Sequence, residues 1–119
     1  MTENEYRDLL EKWVCRLGLS DWRIALKTDC TPDEMPMSSA GCAEIAESVK
    51  CACIYILDPK CHTDRLVPFD GEEILVHELL HLKLALIQDV ENDLQERYVH
   101  QILDDLARAL VDAERGTEE

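Results

Sequence analysis

The length and charge of the chain limit its fold and its partners. It has 119 residues, which suits one compact domain, and its hydrophobic fraction of 46% is enough for a single core. Twelve basic residues against 26 acidic ones leave a formal net charge of −14. This charge argues against nucleic acid and membranes as partners, because anionic surfaces require a compensating basic patch.

The sequence also lacks the usual signals for export or membrane insertion. No run of about 18 apolar residues occurs. The acidic residues 1–5 provide neither the basic start nor the apolar region of a signal peptide. We therefore expect a cytoplasmic protein whose six cysteines are mostly free thiols that pack as small hydrophobic side chains.

The first half of the chain predicts one helix and a small sheet. Apolar residues recur at helical spacing over residues 3–17, and Gly18 ends this helix. Alternation over residues 22–28 predicts a strand with one buried face. Two further strands, over residues 40–47 and Cys51–Leu57, are predicted to form a hairpin around a short turn.

Two helices are predicted in the second half of the chain. Asp70 is expected to cap the first of them, which should reach about residue 88 before a short acidic gap at 89–93. The last helix is expected over about residues 92–113, its acids Asp104 and Asp105 should face solvent, and the final residues should be frayed. Its apolar stripe comprises Val99, Leu103, Leu106 and Leu110. This order of elements predicts one α+β domain over residues 1–119.

The central motif is His77-Glu78-Leu79-Leu80-His81, which matches the pattern H-E-x-x-H. Residues four apart lie on one face of a helix, so both imidazoles can bind one zinc ion at about 2.0–2.1 Å. From its position beside the first ligand, the carboxylate of Glu78 can take a proton from a zinc-bound water. The surrounding helix is apolar nearly all round and should be buried. The alternative to a metal is a pair of hydrogen-bonded histidines in the core.

A catalytic zinc ion usually has three protein ligands and one water, so a third ligand is expected elsewhere. The extended motif with a third histidine is absent, because Leu84 and Ile87 occupy the positions that would be Gly and His. Glu96 falls on the apolar stripe of the last helix, where a charge needs compensation, and we favour it as the third ligand. His100 borders the stripe and is its main rival, and Glu91 is a further alternative. Glu96 could instead be an acid that the helix dipole favours.

These features resemble the zincin metallopeptidases, specifically very small gluzincin-like domains of bacteria and their phages. The likeness covers most of the chain and includes the H-E-x-x-H helix, the downstream segment 96–99, and the segment 17–24 before the hairpin. It implies a small zincin-like fold with an N-terminal helix, a three-stranded sheet, an active-site helix and a C-terminal helix. It also implies that the protein is a zinc-dependent metallopeptidase.

The resemblance further implies the roles of individual residues. His77, His81 and Glu96 would bind one zinc ion, and Glu78 would be the general base. The strand Cys51–Leu57 would be an edge strand to which an extended peptide or protein substrate adds.

The sequence also departs from the pattern of this family. Larger gluzincins often have an acid four residues after the ligand Glu that braces a ligand His, and His100 occupies that position here. Tyr98, His100 and Tyr55 are the candidates for stabilising the oxyanion. The alternative function is a zinc-binding regulatory or interaction module with little or no proteolytic turnover. A DNA-associated protease with a third His is disfavoured by the net charge.

Overall fold

A computed structural model describes residues 1–85 and 93–116, and these residues form an α+β fold. The helices are α1 (Glu3–Arg16), α2 (Gly71–Leu84) and α3 (Asp93–Gly116). The strands are β1 (Arg23–Cys30), β2 (Gly41–Ala46) and β3 (Cys51–Leu57), with short 3-10 helices at Glu47–Val49 and Pro59–Cys61. None of the helices in the described ranges is both long enough and apolar enough to cross a membrane.

The three strands form one mixed sheet in the order β1-β3-β2. Strands β2 and β3 are antiparallel and form the predicted hairpin, whereas β1 pairs with β3 in parallel. The expectation that Cys51–Leu57 is an edge strand is therefore wrong, because β3 is hydrogen-bonded on both sides. The strand at the edge beyond β3 is β2.

The two faces of the sheet differ in burial. Ala52, Ile54 and Ile56 of β3 are buried and belong to the main hydrophobic core, together with the apolar side chains of α2. Cys51 and Cys53 point to the other face, as their intermediate burial and the two-residue period of a strand indicate. The helices thus cover one face of the sheet, and α2 packs directly against it.

Helix α1 agrees with the sequence prediction to within one residue. Its first turn is closed by a capping box in which Thr2 accepts a hydrogen bond from the backbone N–H of Glu5, and the Glu5 side chain accepts one in return. Gly18 follows with a φ of 69°, which glycine adopts without steric cost. The helix buries Tyr6 and Trp13 against the remainder of the core.

Helix α2 begins as predicted and is buried around most of its circumference. The Asp70 side chain accepts a hydrogen bond from the backbone N–H of Glu73 at 3.2 Å, and it therefore acts as the expected N-cap. Leu75, Val76 and Leu79 are fully buried. The predicted continuation to residue 88 and most of the acidic gap at 89–93 lie outside the described residues.

Helix α3 extends three residues beyond its predicted C-terminal end, and the final residues 117–119 lie outside the described ranges. Leu103 is fully buried, as expected, but Leu106 is largely exposed and the buried position is taken by Ala107. The core-facing residues advance in steps of four, from Leu103 to Ala107 and Val111. Because a step of four exceeds the 3.6-residue turn, the buried stripe drifts away from Leu106.

Candidate metal centre

The two histidines of the motif lie one turn apart on α2 and face each other. The Nε2 atoms of His77 and His81 are 3.1 Å apart, and the two ring centroids are separated by 4.9 Å. Two nitrogens bound to one tetrahedral zinc ion at about 2.0–2.1 Å would be roughly 3.3–3.4 Å apart. The pair is therefore already close to the separation that a shared ion requires.

A third imidazole reaches the same point from α3. The His100 ring is stacked on His77, with centroids 5.6 Å apart and an interplanar angle of 12°, and its centroid lies 4.9 Å from that of His81. The candidate ligand atoms of the three residues all lie within 4.8 Å of one another. Among the side chains of residues 1–85 and 93–116, these three histidines form the one group of three or more possible ligands that could hold a metal ion.

Asp104 contacts the edge of His77 that faces away from this point. Its Oδ1 is 2.7 Å from Nδ1 of His77. The distance is that of a hydrogen bond, although the oxygen lies off the direction of a ring N–H, so Nδ1 has no well-directed partner. A carboxylate beside Nδ1 favours the tautomer that leaves Nε2 available to a metal. The Asp104 side chain is 61% exposed, in agreement with the predicted solvation, but the sequence does not predict its contact with His77.

Asp104 is four residues after His100 on α3, so the two side chains lie on one face of this helix. Both of them contact His77 of α2, His100 by ring stacking and Asp104 at Nδ1.

The electrostatics of His77 suit a ligand. Burial lowers its pKa, as does the neighbouring His100, and Asp104 opposes the shift without reversing it. Because a metal binds the neutral imidazole, a lowered pKa keeps His77 in the form that can ligate near neutral pH.

Glu78 is the buried carboxylate of the site, with only 6% of its surface exposed. Burial, with a smaller contribution from the charge of Asp104, raises its pKa to about 8. Its Oε2 lies 3.9 Å from Nε2 of His77, at the same end of the ring as the facing nitrogens. The carboxylate is therefore next to the centre without belonging to the group of three ligands.

Strand β2 comes close to this carboxylate at a glycine that the sequence prediction overlooked. A Cβ atom on Gly41 would lie 3.1 Å from Oε2 of Glu78 and 2.5 Å from Cγ2 of Ile74. A larger residue would force α2 and β2 apart. The only sequence signal was a glycine at the start of a predicted strand, which can mark a close approach of backbone to its neighbours.

Glu96 lies in the wall of the same cavity as the histidines. Its side chain is 52% exposed, so the burial cost on which the prediction rested does not arise, and its Oε1 is 3.9 Å from Nε2 of His100. The assignment of Glu96 as a metal ligand stays a prediction. The alternative Glu91 lies outside the described residues.

The three histidines and Glu78 border an open cavity of about 650 Å³. Helices α2 and α3 form one side, and β2 with the segments around Met37 and Phe69 forms the other. Five acidic side chains line it, and the one guanidinium among the described lining residues is that of Arg108, whose Nε is 3.3 Å from Glu73. The acidic lining comprises Asp70, Glu73, Glu78, Glu96 and Asp104.

Only some of the candidates for oxyanion stabilisation lie at the cavity. His100 lines the cavity, but neither Tyr98 nor Tyr55 is among the described residues that do. The Tyr55 hydroxyl instead donates to Glu44 on the exposed face of the sheet. His62, for which the sequence predicts no role, also lines the cavity, and its Nε2 lies 2.6 Å from the carbonyl oxygen of Val67.

Comparisons with protein-family models, with curated proteins and with solved structures find no match to this chain. The zincin resemblance therefore rests on the motif and its surroundings.

Proposed function

We propose that this protein is a metal-dependent hydrolase and, specifically, a zinc metallopeptidase. The observation that carries the proposal is the convergence of three imidazoles from two helices beside one buried carboxylate. Three nitrogen ligands with an open side are typical of catalytic rather than structural zinc sites. Imidazole also suits copper, iron and nickel, so the choice of zinc follows the H-E-x-x-H pattern.

The proposed ligands are His77, His81 and His100. The first two project from consecutive turns of α2, and the third approaches from α3 within 4.8 Å of both. Asp104 would orient His77 through its Nδ1 edge. Glu96, one turn before His100 in the wall of the same cavity, is the alternative third ligand.

Glu78 has the position of a general base. A zinc ion at the three histidines would polarise the substrate carbonyl and make a bound water more acidic. Glu78 would accept the proton of the attacking water and deliver it to the departing amine, and the positive charge of a bound metal would oppose the effect of burial on its pKa and favour the carboxylate form. The Glu78 side chain is buried where α2 contacts Gly41 of β2, and this burial keeps the carboxylate fixed and away from bulk solvent.

The substrate would lie along β2 and not along β3. The resemblance associates an extended peptide with the strand next to the active helix. Because β3 is paired on both sides, β2 is the strand that has an open edge and also lines the cavity, through residues 41–43 and Ile45. We therefore propose peptide binding by addition to β2.

One observation favours the second candidate, a zinc-binding interaction module with little turnover. Neither tyrosine candidate for the oxyanion lines the cavity, so among the described residues this role would fall to His62, His100 or Arg108, and Arg108 is already paired with Glu73. If His100 is a ligand, it cannot also stabilise the oxyanion. The module would retain the metal and the exposed β2 edge and would bind a partner without cleaving it.

The variant Glu78→Gln separates the two candidates. We expect it to retain zinc, because Glu78 is outside the ligand group, and to lose peptide hydrolysis by roughly 10²–10⁴-fold. Zinc content and cleavage of a broad peptide library would be measured together, with the exposed Glu11→Gln on α1 as the matched control. A zinc-loaded wild-type protein that cleaves no peptide in the library would contradict the peptidase proposal and support the module.

A further inference from the structure

Helix α3 carries a second row of side chains that neither the core nor the cavity uses. Its members are large, apolar and four residues apart, and each exposes about half of its surface. They are Leu94 (56% exposed), Tyr98 (57%), Ile102 (56%) and Leu106 (46%), called the outer stripe here. Four such positions span about 18 Å along a helix, which is a contiguous patch and not a scatter of single exposed residues.

The outer stripe lies on the side of α3 opposite the metal centre. Glu96, His100 and Asp104, which line the cavity, follow the outer-stripe positions by two residues, which corresponds to a rotation of about 200° around the helix. The stripe therefore faces away from the cavity. An occupant of this surface could pack on α3 without covering the histidines.

We infer that the outer stripe is a contact between two copies of this chain, with their α3 helices packed antiparallel. The stripe is symmetrical about its centre, so a two-fold axis there brings Leu94 opposite Leu106 of the second copy. The same axis brings Tyr98 opposite Ile102 of the second copy. Such a contact is isologous, because the same patch serves both copies and the interaction closes with two chains.

The charges beside the outer stripe favour a second copy of this chain as the partner and an antiparallel orientation of the two helices. Arg97 and Asp105 are exposed and border the same long edge of the outer stripe, one near each end. In an antiparallel pair, Arg97 of each copy lies near Asp105 of the other, which gives two opposite-charge pairs. A parallel two-fold pair would instead bring this edge against the opposite edge of the second helix, so Arg97 and Asp105 would not face each other. Each chain carries a net charge of −14, so association requires a surface where the charges are locally balanced.

The size of the surface predicts a reversible dimer. The outer stripe offers roughly half of four side chains per copy. That amount is at or below the lower end of stable interfaces, which bury about 800 Å² per partner. We therefore expect monomer and dimer to exchange, with the dimer fraction rising with protein concentration.

Sedimentation velocity of the full chain over a concentration series tests this contact. Ile102→Glu places a charge at the centre of the outer stripe, and we expect it to raise the dimer dissociation constant by at least about 100-fold. The matched control is Leu66→Glu, since Leu66 is 92% exposed and lies outside the stripe. It should leave the dissociation constant unchanged. Far-ultraviolet circular dichroism would verify that both variants are folded.

Charge reversal tests the antiparallel direction. Arg97→Asp and Asp105→Arg should each weaken the dimer by about tenfold or more, and the double variant should restore the wild-type constant to within about threefold. Arg65→Asp, an exposed reversal elsewhere, is the control. A wild-type chain that stays monomeric at all concentrations would overturn the inference. A dissociation constant that Ile102→Glu leaves unchanged would also overturn it. So would a double variant whose loss of dimer affinity equals the combined losses of the two single variants. None of these readouts depends on metal or on activity.

Discussion

Helices α2 and α3 both contribute to the candidate metal centre, but they are held in the fold in different ways. Helix α2 is surrounded by α1, the sheet and α3, and its candidate ligand His77 is only 12% exposed. Helix α3 is buried along one stripe only, and its ligand candidate His100 is 46% exposed. The candidate centre thus joins a helix that is buried around most of its circumference with a helix that the core holds along a single stripe.

Glu96 and His100 lie one turn apart on α3 and both line the cavity, so the apolar burial of α3 does not by itself distinguish them as the third ligand. Four polar contacts fix α3 against α2: Asp104 to His77, Arg108 to Glu73, and Arg115 to both Asp70 and Glu72. The position of the third ligand therefore depends on side-chain contacts between the two helices as well as on apolar burial.

The largest expected effect on the free energy of unfolding comes from adding one methyl group to the buried helix α2. A Cβ on Gly71 would lie 2.1 Å from the Tyr6 hydroxyl oxygen, so Gly71→Ala should lower the free energy of unfolding by about 3 kcal/mol. Gly116→Ala at the end of α3 is the matched control, because a Cβ there meets nothing within 4 Å. Urea denaturation would measure both. Equal stabilities of the two variants would contradict the contrast between the helices.

The next largest effect on stability distinguishes two adjacent acidic residues of α2, Glu72 and Glu73. The buried Glu72 accepts a hydrogen bond from Nε1 of Trp13 at 2.7 Å and pairs with Lys12 and Arg115, so it joins all three helices. Glu72→Ala should cost about 2–3 kcal/mol of unfolding free energy, because charged partners are left without their acceptor. Glu73→Ala removes one partly exposed ion pair and should cost less than about 1 kcal/mol. If Glu73→Ala lowers the free energy of unfolding as much as Glu72→Ala does, the proposed role of Glu72 in joining the three helices is wrong.

A third prediction concerns metal affinity and the contact between the helices. Asp104→Asn removes the carboxylate beside Nδ1 of His77 and should weaken zinc binding by about 10–100-fold. Asp105→Asn changes the same charge at an exposed neighbouring position and should leave the affinity unchanged. Competition with a chromophoric chelator would measure both constants. If the two variants bind zinc equally well, Asp104 does not orient His77.

The smallest effect is a pH dependence at the start of α2. Burial by itself raises the pKa of Asp70, but hydrogen bonds from Arg115 and the Glu73 backbone outweigh it and hold the pKa below the usual 3.8. A lowered folded-state pKa stabilises the protein above the unfolded value, and this contribution is lost as the pH falls through the folded value.

Asp70→Asn retains an N-cap side chain but loses the charge that pairs with Arg115. It should therefore be less stable than the wild type near pH 7, with the difference shrinking below about pH 3.8. Urea denaturation at both pH values measures the two differences. A deficit of the same size at low pH would show that the charge is not its cause.

The sequence predicts the elements of this protein better than their arrangement. Helical spacing and caps place α1 and the start of α2 within a residue, because these signals are local. The central position of β3 could not be predicted, since its parallel partner β1 is distant in the chain. The exposure of Leu106 and the contact of Asp104 with His77 depend on the rotation of α3 against α2, which no local pattern specifies.

The most direct test of the centre is zinc affinity and stoichiometry of the wild type beside His100→Ala and Glu96→Ala. We expect one ion per chain and a loss of at least about 100-fold in affinity for His100→Ala. Glu96→Ala, which lies one turn earlier on the same helix, should remain within about tenfold of the wild type. A wild type that binds no zinc, or a His100→Ala variant that binds it as tightly as the wild type does, would contradict the three-histidine centre.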